Sequence, residues 1–296
     1  MTRLIDYLLL LLLMMTTTTT TYAVALDSQT GLFWQIVGPR PDITPSYLFG
    51  TIHSDDPRVS KLPPLIQQRL EQANSVVLEL LMDIPTIQQA SNAKFFDDSQ
   101  TLDALLDPAL YNKIVAALQP YQLSATLIKK MKPVAVLTLL QTPPPKNGNY
   151  LDFLLYQQAM ALKILPYGLE QVPEQLQLFD AFSPAEQLIL LTDTVNYINE
   201  LPAIFEQLHQ LYLQKNLTTL LTYSQNYLLA HSSHPTLTQT FLKRLLSDRN
   251  YKMLTRMLPR LQEGNAFIAV GALHLPGADG LLNLLVQRGY RVIALY

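Results

Sequence analysis

The chain has 296 residues, 49% of them hydrophobic and 15% charged, which is ordinary for a globular protein large enough to bury a full core. Twenty-one basic against 23 acidic residues give a net charge of −2 with no long run of either sign, so neither nucleic acid nor an anionic membrane surface is a natural partner. There is no cysteine, which excludes disulfides, thiolate metal sites, a cysteine nucleophile and a lipid-modified N-terminal cysteine, and leaves the chemistry to His, carboxylates, Ser and Arg.

The first segment reads as an address. Arg3 precedes an apolar run from Tyr7 to Met15, threonines follow from Thr16 to Thr21, and Ala23-Val24-Ala25 offers the small residues that a signal peptidase requires. The pattern predicts a signal peptide over residues 1–25, cut after Ala25, and a periplasmic or secreted mature chain of residues 26–296 forming a single domain. The apolar run is roughly half the length of a membrane-spanning helix, so no stable span is expected after cleavage. Asp6 and the threonines are atypical of a leader, and an uncleaved N-terminal anchor is the alternative. Cleavage removes Arg3 and Asp6 together and keeps the net charge at −2.

Leu32 to Val37 and Ser46 to Ile52 are rich in aromatic and β-branched residues and flank Gly38-Pro39-Arg40-Pro41-Asp42, the pattern of two strands around a turn. Leu62, Leu65, Ile66, Leu70 and Ala73 then recur at helical spacing. Ser75 to Leu80 reads as a strand buried on both faces, interrupted by the carboxylate of Glu79. From Thr101 to about Gln141 the pattern is helical, Pro143 to Gly148 is a loop, and a helix from about Leu151 to Leu162 leads into a strand, Ile164 to Tyr167, that stops at Gly168-Leu169-Glu170. Residues 171 to 264 are helical by pattern. Ser183-Pro184-Ala185-Glu186 has the makings of a capping box, and Ser247-Asp248-Arg249-Asn250 is expected to cap another helix. The chain closes with a strand from Ala266 to Val270, Gly271-Ala272-Leu273-His274, a helix from about Ala278 to Gln287 and a strand from Tyr290 to Leu295. This βαβ unit has a right-handed crossover if its strands are parallel in one sheet. The expected class is α/β: a mixed central sheet built from the N- and C-terminal thirds, with a mostly helical middle inserted over about residues 100–263.

Two of the five histidines share one local setting, a strand followed by Gly-x-x-His, in Gly50-Thr51-Ile52-His53 and Gly271-Ala272-Leu273-His274. The glycine permits a bend or a close approach, and the histidine projects from a strand's carboxyl end, where α/β folds build their sites. Imidazole and carboxylate together suit a divalent metal ion, Mn, Co, Zn or Fe, with water completing a catalytic ligand set. Taken singly, each histidine also reads as a hydrogen-bonded residue at a strand end. Glu79 in an apolar run needs a cation or a buried salt bridge, for which Arg249 is a partner. Glu170 reads either as a further ligand or as a cap on the helix that starts near Gln171. His231 and His234 have chelating spacing, but Ser232-Ser233 and Pro235 make that stretch a turn, and His209 stands alone on a helix. There is no Gly-x-Ser-x-Gly elbow, His-Glu-x-x-His helix or phosphate-cradling glycine loop in the sequence.

Taken together, Trp34, Ser46 to His53, Val77-Leu78-Glu79-Leu80, Gly168-Leu169-Glu170 with Gln175, Arg249-Asn250 with Met253, and Gly271 to Gly277 resemble the TraB/GumN/TIKI family. Gly280-Leu281-Leu282 and Arg288-Gly289-Tyr290 match its closing helix and strand, so the resemblance covers nearly the whole mature chain. Animal TIKI proteins in that family are metal-dependent proteases, and a bacterial TraB member acts against a secreted peptide pheromone. The resemblance implies an exported, metal-dependent hydrolase of peptide bonds in a peptide or protein substrate. Under it, His53 and His274 bind a divalent ion, Glu79 is third ligand or base, and Glu170 is a supporting ligand or orienting group. Arg249 would hold a developing oxyanion or a substrate carboxylate, and Asp152 would touch substrate. Two departures stand out: Tyr150-Leu151-Asp152 replaces the usual glycine-aliphatic-aspartate, and Gln171 follows Glu170 where threonine is usual. Both are expected to lie away from the histidines. Related folds include erythromycin-esterase-like enzymes and a haem-binding iron-uptake protein, so the rival readings are a binding protein that sequesters a peptide or haem without turnover, and a structural envelope protein.

Overall fold

A computed structural model describes residues 29–97 and 99–296; the expected signal peptide lies outside them. Six strands form one mixed sheet: β1 (Phe33–Val37), β2 (Ser46–Thr51), β3 (Ser75–Leu78), β4 (Leu165–Gly168), β5 (Ala266–Gly271) and β6 (Arg291–Ala294). Their order is β4-β3-β5-β2-β1-β6. β4, β3, β5 and β2 run parallel, while β1 is antiparallel to both β2 and β6. The α/β class, with a sheet drawn from both chain ends and a helical middle, is the observed one. Strand β5 lies at the centre, buried from Ala266 to Val270. A strand covered on both faces has no polar side to present, which explains its unbroken apolar run. Because four neighbouring strands are parallel, their carboxyl ends open on the same edge.

Three boundaries differ from expectation, each for a local reason. β3 ends at Leu78, so Glu79 is the first residue beyond the strand, where its carboxylate leaves the apolar layer. The helical stretch after Thr101 is broken into Leu102–Leu105, Pro108–Ala117, Ala125–Lys130 and Pro133–Leu140. Pro108 and Pro133 each start a helix, a position where the missing N–H is unneeded. The cap expected at Ser247 to Asn250 is absent. Instead the chain passes through a π-helical turn, Arg244–Asp248, directly into the helix Arg249–Glu263, and the Asp248 side chain caps nothing. Such turns insert one extra residue and recur at functional sites. The capping box of Ser183 and Glu186 is present.

The closing strands β5 and β6 are joined by the helix Leu281–Gln287 but are not neighbours; β2 and β1 lie between them. Two apolar cores result. One joins the sheet, through Phe33, Leu48 and Phe267, to the helices Leu151–Ala161, Leu201–Leu213 and Leu217–Ala230, which bury Leu155, Leu211 and Leu220 against it. The other lies within the helical middle and includes Ile114, Val136, Leu191 and Phe241.

Candidate functional site

Four adjacent strands deliver four polar side chains to one edge: Glu170 past β4, Glu79 past β3, His274 past β5 and His53 past β2. The carboxylates share one side of that edge and the histidines the other. Arg249, the first residue of its helix, sits between the carboxylates. Its Nη2 donates to Glu79 Oε2 at 2.5 Å and to Glu170 Oε2 at 2.6 Å, and its Nε donates to Glu170 Oε1 at 2.9 Å. Gln175 Nε2 donates to Glu170 Oε2 at 2.9 Å. The carboxylate of Glu170 is therefore occupied from two directions, and the helix that follows is capped instead by Glu174, which accepts from the Gln171 N–H at 2.9 Å. Burial disfavours charge on Glu79, but Arg249 and then the two histidines outweigh it and hold the carboxyl well below the usual carboxylate range. Burial likewise opposes the Arg249 charge, and Glu79 and Glu170 more than offset it.

Each histidine has its Nδ1 committed elsewhere. The Asn250 amide donates from Nδ2 to the Asp279 carbonyl at 2.7 Å, so its Oδ1 must accept, and the atom 2.7 Å away is His274 Nδ1. The proton of the neutral ring is thus on Nδ1, and the bare Nε2 faces Glu79 Oε1 at 3.8 Å. His53 Nδ1 lies 2.8 Å from Asp152 Oδ2, while Asp152 Oδ1 accepts from the Thr51 hydroxyl at 2.8 Å. The same logic leaves His53 Nε2 bare in the neutral ring. The expectation that the Tyr150-Leu151-Asp152 stretch lies away from the histidines is therefore wrong: Asp152, in the first turn of its helix, is the orienting partner of His53, and both its oxygens are engaged within the protein.

The two rings differ in setting. The His53 side chain is 57% exposed and that of His274 5%. The Asp152 carboxylate raises the His53 pKa to about 9, so without a bound cation this ring carries a proton on Nε2 as well at neutral pH, one that a cation ligated there would displace. Burial pulls His274 down to about 4 in spite of nearby Glu79, so that ring is neutral at neutral pH.

The glycines of the two motifs do different work. A Cβ on Gly50 would overlap Leu275 Cδ1 and stand 3.2 Å from the Ala272 backbone, so Gly50 lets the second turn pack on the first. A Cβ on Gly271 would stand 3.2 Å from Glu79 Oε1, 3.5 Å from the His274 ring and 3.9 Å from His53 Nε2; this glycine keeps the space between the site residues clear. Its N–H donates to Glu79 Oε1 at 2.5 Å.

Three side chains after His53 fasten the first turn to separate parts of the molecule. Ser54 Oγ bonds His209 Nε2 at 2.9 Å. Asp55 Oδ2 accepts the backbone N–H groups of Lys146, Asn147 and Gly148 at 2.6, 2.6 and 2.9 Å. Asp56 accepts from the Arg58 guanidinium, which in turn pairs with Glu206. None of these links, nor the role of Asn250, is legible in the sequence; the run Ser54-Asp55-Asp56 immediately after a strand was the available signal. His231 and His234 sit apart: His231 Nε2 lies 3.3 Å from Glu200, and its ring packs edge-on against Tyr197 and tilted against Tyr227.

A cavity of about 380 Å³ opens over this edge, lined by His53, Glu79, Asp152, Arg249 and His274 together with apolar side chains from the helices. Its size falls within the roughly 300–1,000 Å³ of small-molecule pockets. Among the described residues no three His, Cys, Asp or Glu side chains stand as a ready-made ion cluster. Among the described lining residues, the Nε2 atoms of His53 and His274 make no hydrogen bond within the protein, and Glu79 Oε1, which accepts from the Gly271 N–H, lies beside that of His274.

The sequence signature of the TraB/PrgY/gumN family matches residues 32–294. Among curated proteins, the chain is similar to one named metalloprotease TIKI2 from Danio rerio, at 26% identity over 91% of this chain and 62% of that protein. It is similar to metalloprotease TIKI1 from Danio rerio at 25% identity over 84% of this chain and 60% of that one. A metalloprotease TIKI2 from Xenopus tropicalis is 24% identical over 84% and 57% respectively. The chain thus spans about 60% of the length of these curated relatives. No solved structure matches it.

Proposed function

The chain belongs to the TraB/PrgY/gumN family, and from that premise we propose that it is an exported metal-dependent hydrolase acting on peptide bonds of a peptide or protein substrate. One observation carries the reading: two imidazoles whose Nδ1 atoms are engaged elsewhere turn their Nε2 atoms, with a carboxylate oxygen, to a cavity, each held by a partner that fixes its orientation. Relatives over most of this chain bear the name metalloprotease. Periplasmic or secreted placement rests on the leader-like residues 1–25.

The donor chemistry fits a divalent ion of the Mn, Co, Zn or Fe group, held by His53, His274 and Glu79. When bound, such an ion polarises a substrate carbonyl and lowers the pKa of a water. The protein's own part is positioning. Asp152 and Asn250 fix the ring tautomers, the outer support on which metal-binding histidines depend. Arg249 and the Gly271 N–H hold Glu79 in its ionised form, which suits a third donor; the same contacts lower its basicity and make acceptance of the water's proton the weaker of its two roles. Glu170 aligns Arg249 from behind, an orienting rather than ligating task.

The test is elemental analysis and peptide cleavage by the purified protein reloaded with each ion in turn, beside His53→Ala, His274→Ala and Glu79→Gln. Near-stoichiometric metal and cleavage, both lost in the folded histidine variants, are expected. Glu79→Gln keeps a donor oxygen but not a base, so retained metal with lost cleavage assigns Glu79 as base. A folded double-histidine variant that still cleaves, or a peptide bound by the loaded protein but never cut, overturns the proposal.

A further inference from the structure

The cavity has two kinds of wall. The sheet edge supplies the polar groups already described, while the helical middle supplies Leu178, Phe179, Phe205, Leu208, Leu245 and Leu246. Each charged side chain among its described lining residues already has a partner. Glu79 is paired with Arg249, Arg249 with Glu79 and Glu170, and Asp152 with His53. His209 is bonded to Ser54 and buried, and burial lowers its pKa, so it adds no strong cation. No lysine is among the described residues that line the cavity. A charged substrate side chain entering here would lose its hydration and find no free counter-charge, which disfavours its entry. A bulky apolar side chain would lose water and gain contact with six large apolar neighbours. Arg249 cannot make a two-pronged grip on a chain-terminal carboxylate, because Nε and Nη2 donate to glutamates and one Nη1 N–H to the Leu245 carbonyl at 3.3 Å, which leaves a single N–H, and its charge is already matched by two carboxylates.

We propose that the helical wall is a specificity subsite: it takes large apolar side chains, of the leucine or phenylalanine kind, adjacent to the bond presented at the histidines, from an internal stretch of peptide without requiring a free terminus. The inference rests on the hydrolase reading for its setting. The cavity of about 380 Å³ has room for such side chains alongside the peptide backbone. The wall comes from the helix Val172–Asp180, the helix Leu201–Leu213 and the π-helical turn Arg244–Asp248, so substrate choice and metal chemistry are carried by different parts of the chain. The turn that contributes Leu245 and Leu246 also leads straight into Arg249.

The test uses the full chain and blocked peptides of the form acetyl-Gly-Gly-X-X-Gly-Gly-amide, with X as Leu, Phe, Ala, Lys or Glu. Binding is measured by calorimetry and cleavage by mass spectrometry. Leu and Phe peptides should bind at least ~10-fold more tightly than the Ala, Lys and Glu peptides, the scale at which a pocket discriminates apolar groups. Phe205→Asp should weaken Leu and Phe binding and improve Lys binding, whereas Phe205→Leu should leave the order intact. Equal binding of all five peptides to the wild type, or a strict need for an unblocked terminus, overturns the subsite. Apolar-selective binding without cleavage of any peptide leaves the subsite standing and removes the hydrolase reading, so the two failures are distinguishable.

Discussion

The two Gly-x-x-His turns share a four-residue signature and a strand-end position, yet they are built by opposite means. The first is pinned by polar contacts, one residue at a time: His53 to Asp152, Ser54 to His209, Asp55 to the backbone at 146–148 and Asp56 to Arg58. The second is packed in place: Leu275 is 0% exposed and lies against Gly50, and His274 is buried behind Asn250. One histidine faces an anionic partner and solvent, the other a neutral amide and protein interior. A motif therefore specifies where a ring leaves the sheet, while residues far along the chain set its charge and exposure.

Substitutions that separate polar pinning from packing put this contrast at risk. Leu275→Ala should produce the largest loss, about 2–5 kcal/mol by urea denaturation, because it empties space beneath both turns. Asp55→Ala strips a shared acceptor from three backbone N–H groups and should cost about 1–3 kcal/mol. Its effect should appear as faster hydrogen exchange at residues 146–148, with the second turn unchanged; equal acceleration at both turns would show that they are one unit. The glycines sharpen the contrast further. Gly50→Ala should destabilise by about 1–3 kcal/mol through overpacking against Leu275. Gly271→Ala should cost less stability but weaken metal binding, since its Cβ stands against Glu79 Oε1. If both behave alike in denaturation and in metal titration, the glycines do not have separate tasks.

The smallest effect concerns His209, the buried partner of Ser54. Burial lowers its pKa from 6.5, so the folded state favours the neutral ring. The associated stability is present above the unfolded value of about 6.5 and is lost as pH falls below it toward the lowered folded value. His209→Gln should flatten that acid limb of the stability curve, measured between pH 7 and pH 5. An unchanged limb would remove His209 from the pinning of the first turn.

The strands and the residues at their ends were legible in the sequence, because a covered parallel strand is an apolar run and a glycine or carboxylate at its end breaks the pattern. The salt bridge between Glu79 and Arg249 followed from the cost of an unpaired buried charge. Asp152 was misplaced because 99 residues separate it from His53, and an aspartate in a first helical turn looks like an ordinary favourable charge. The contacts of Asn250 and His209 were hidden for a related reason: on a helix, a polar residue that meets a distant loop has the same local pattern as one that meets water. The π-helical turn before Arg249 left no mark at all, since its residues keep helical spacing on either side of the insertion.

Strand β5 is the one described strand that touches both β3 and β2, and it arrives last among the four that carry the site. Ser46 and Ala266, which meet across it, are 220 positions apart, so this closure is among the least local in the molecule. In the folded sheet β5 is the link between the β1–β2 hairpin and the β3–β4 pair, which have no direct strand pairing with each other. The order of synthesis thus keeps His53 and Glu79 apart from His274 until β5 and the turn that follows it have emerged.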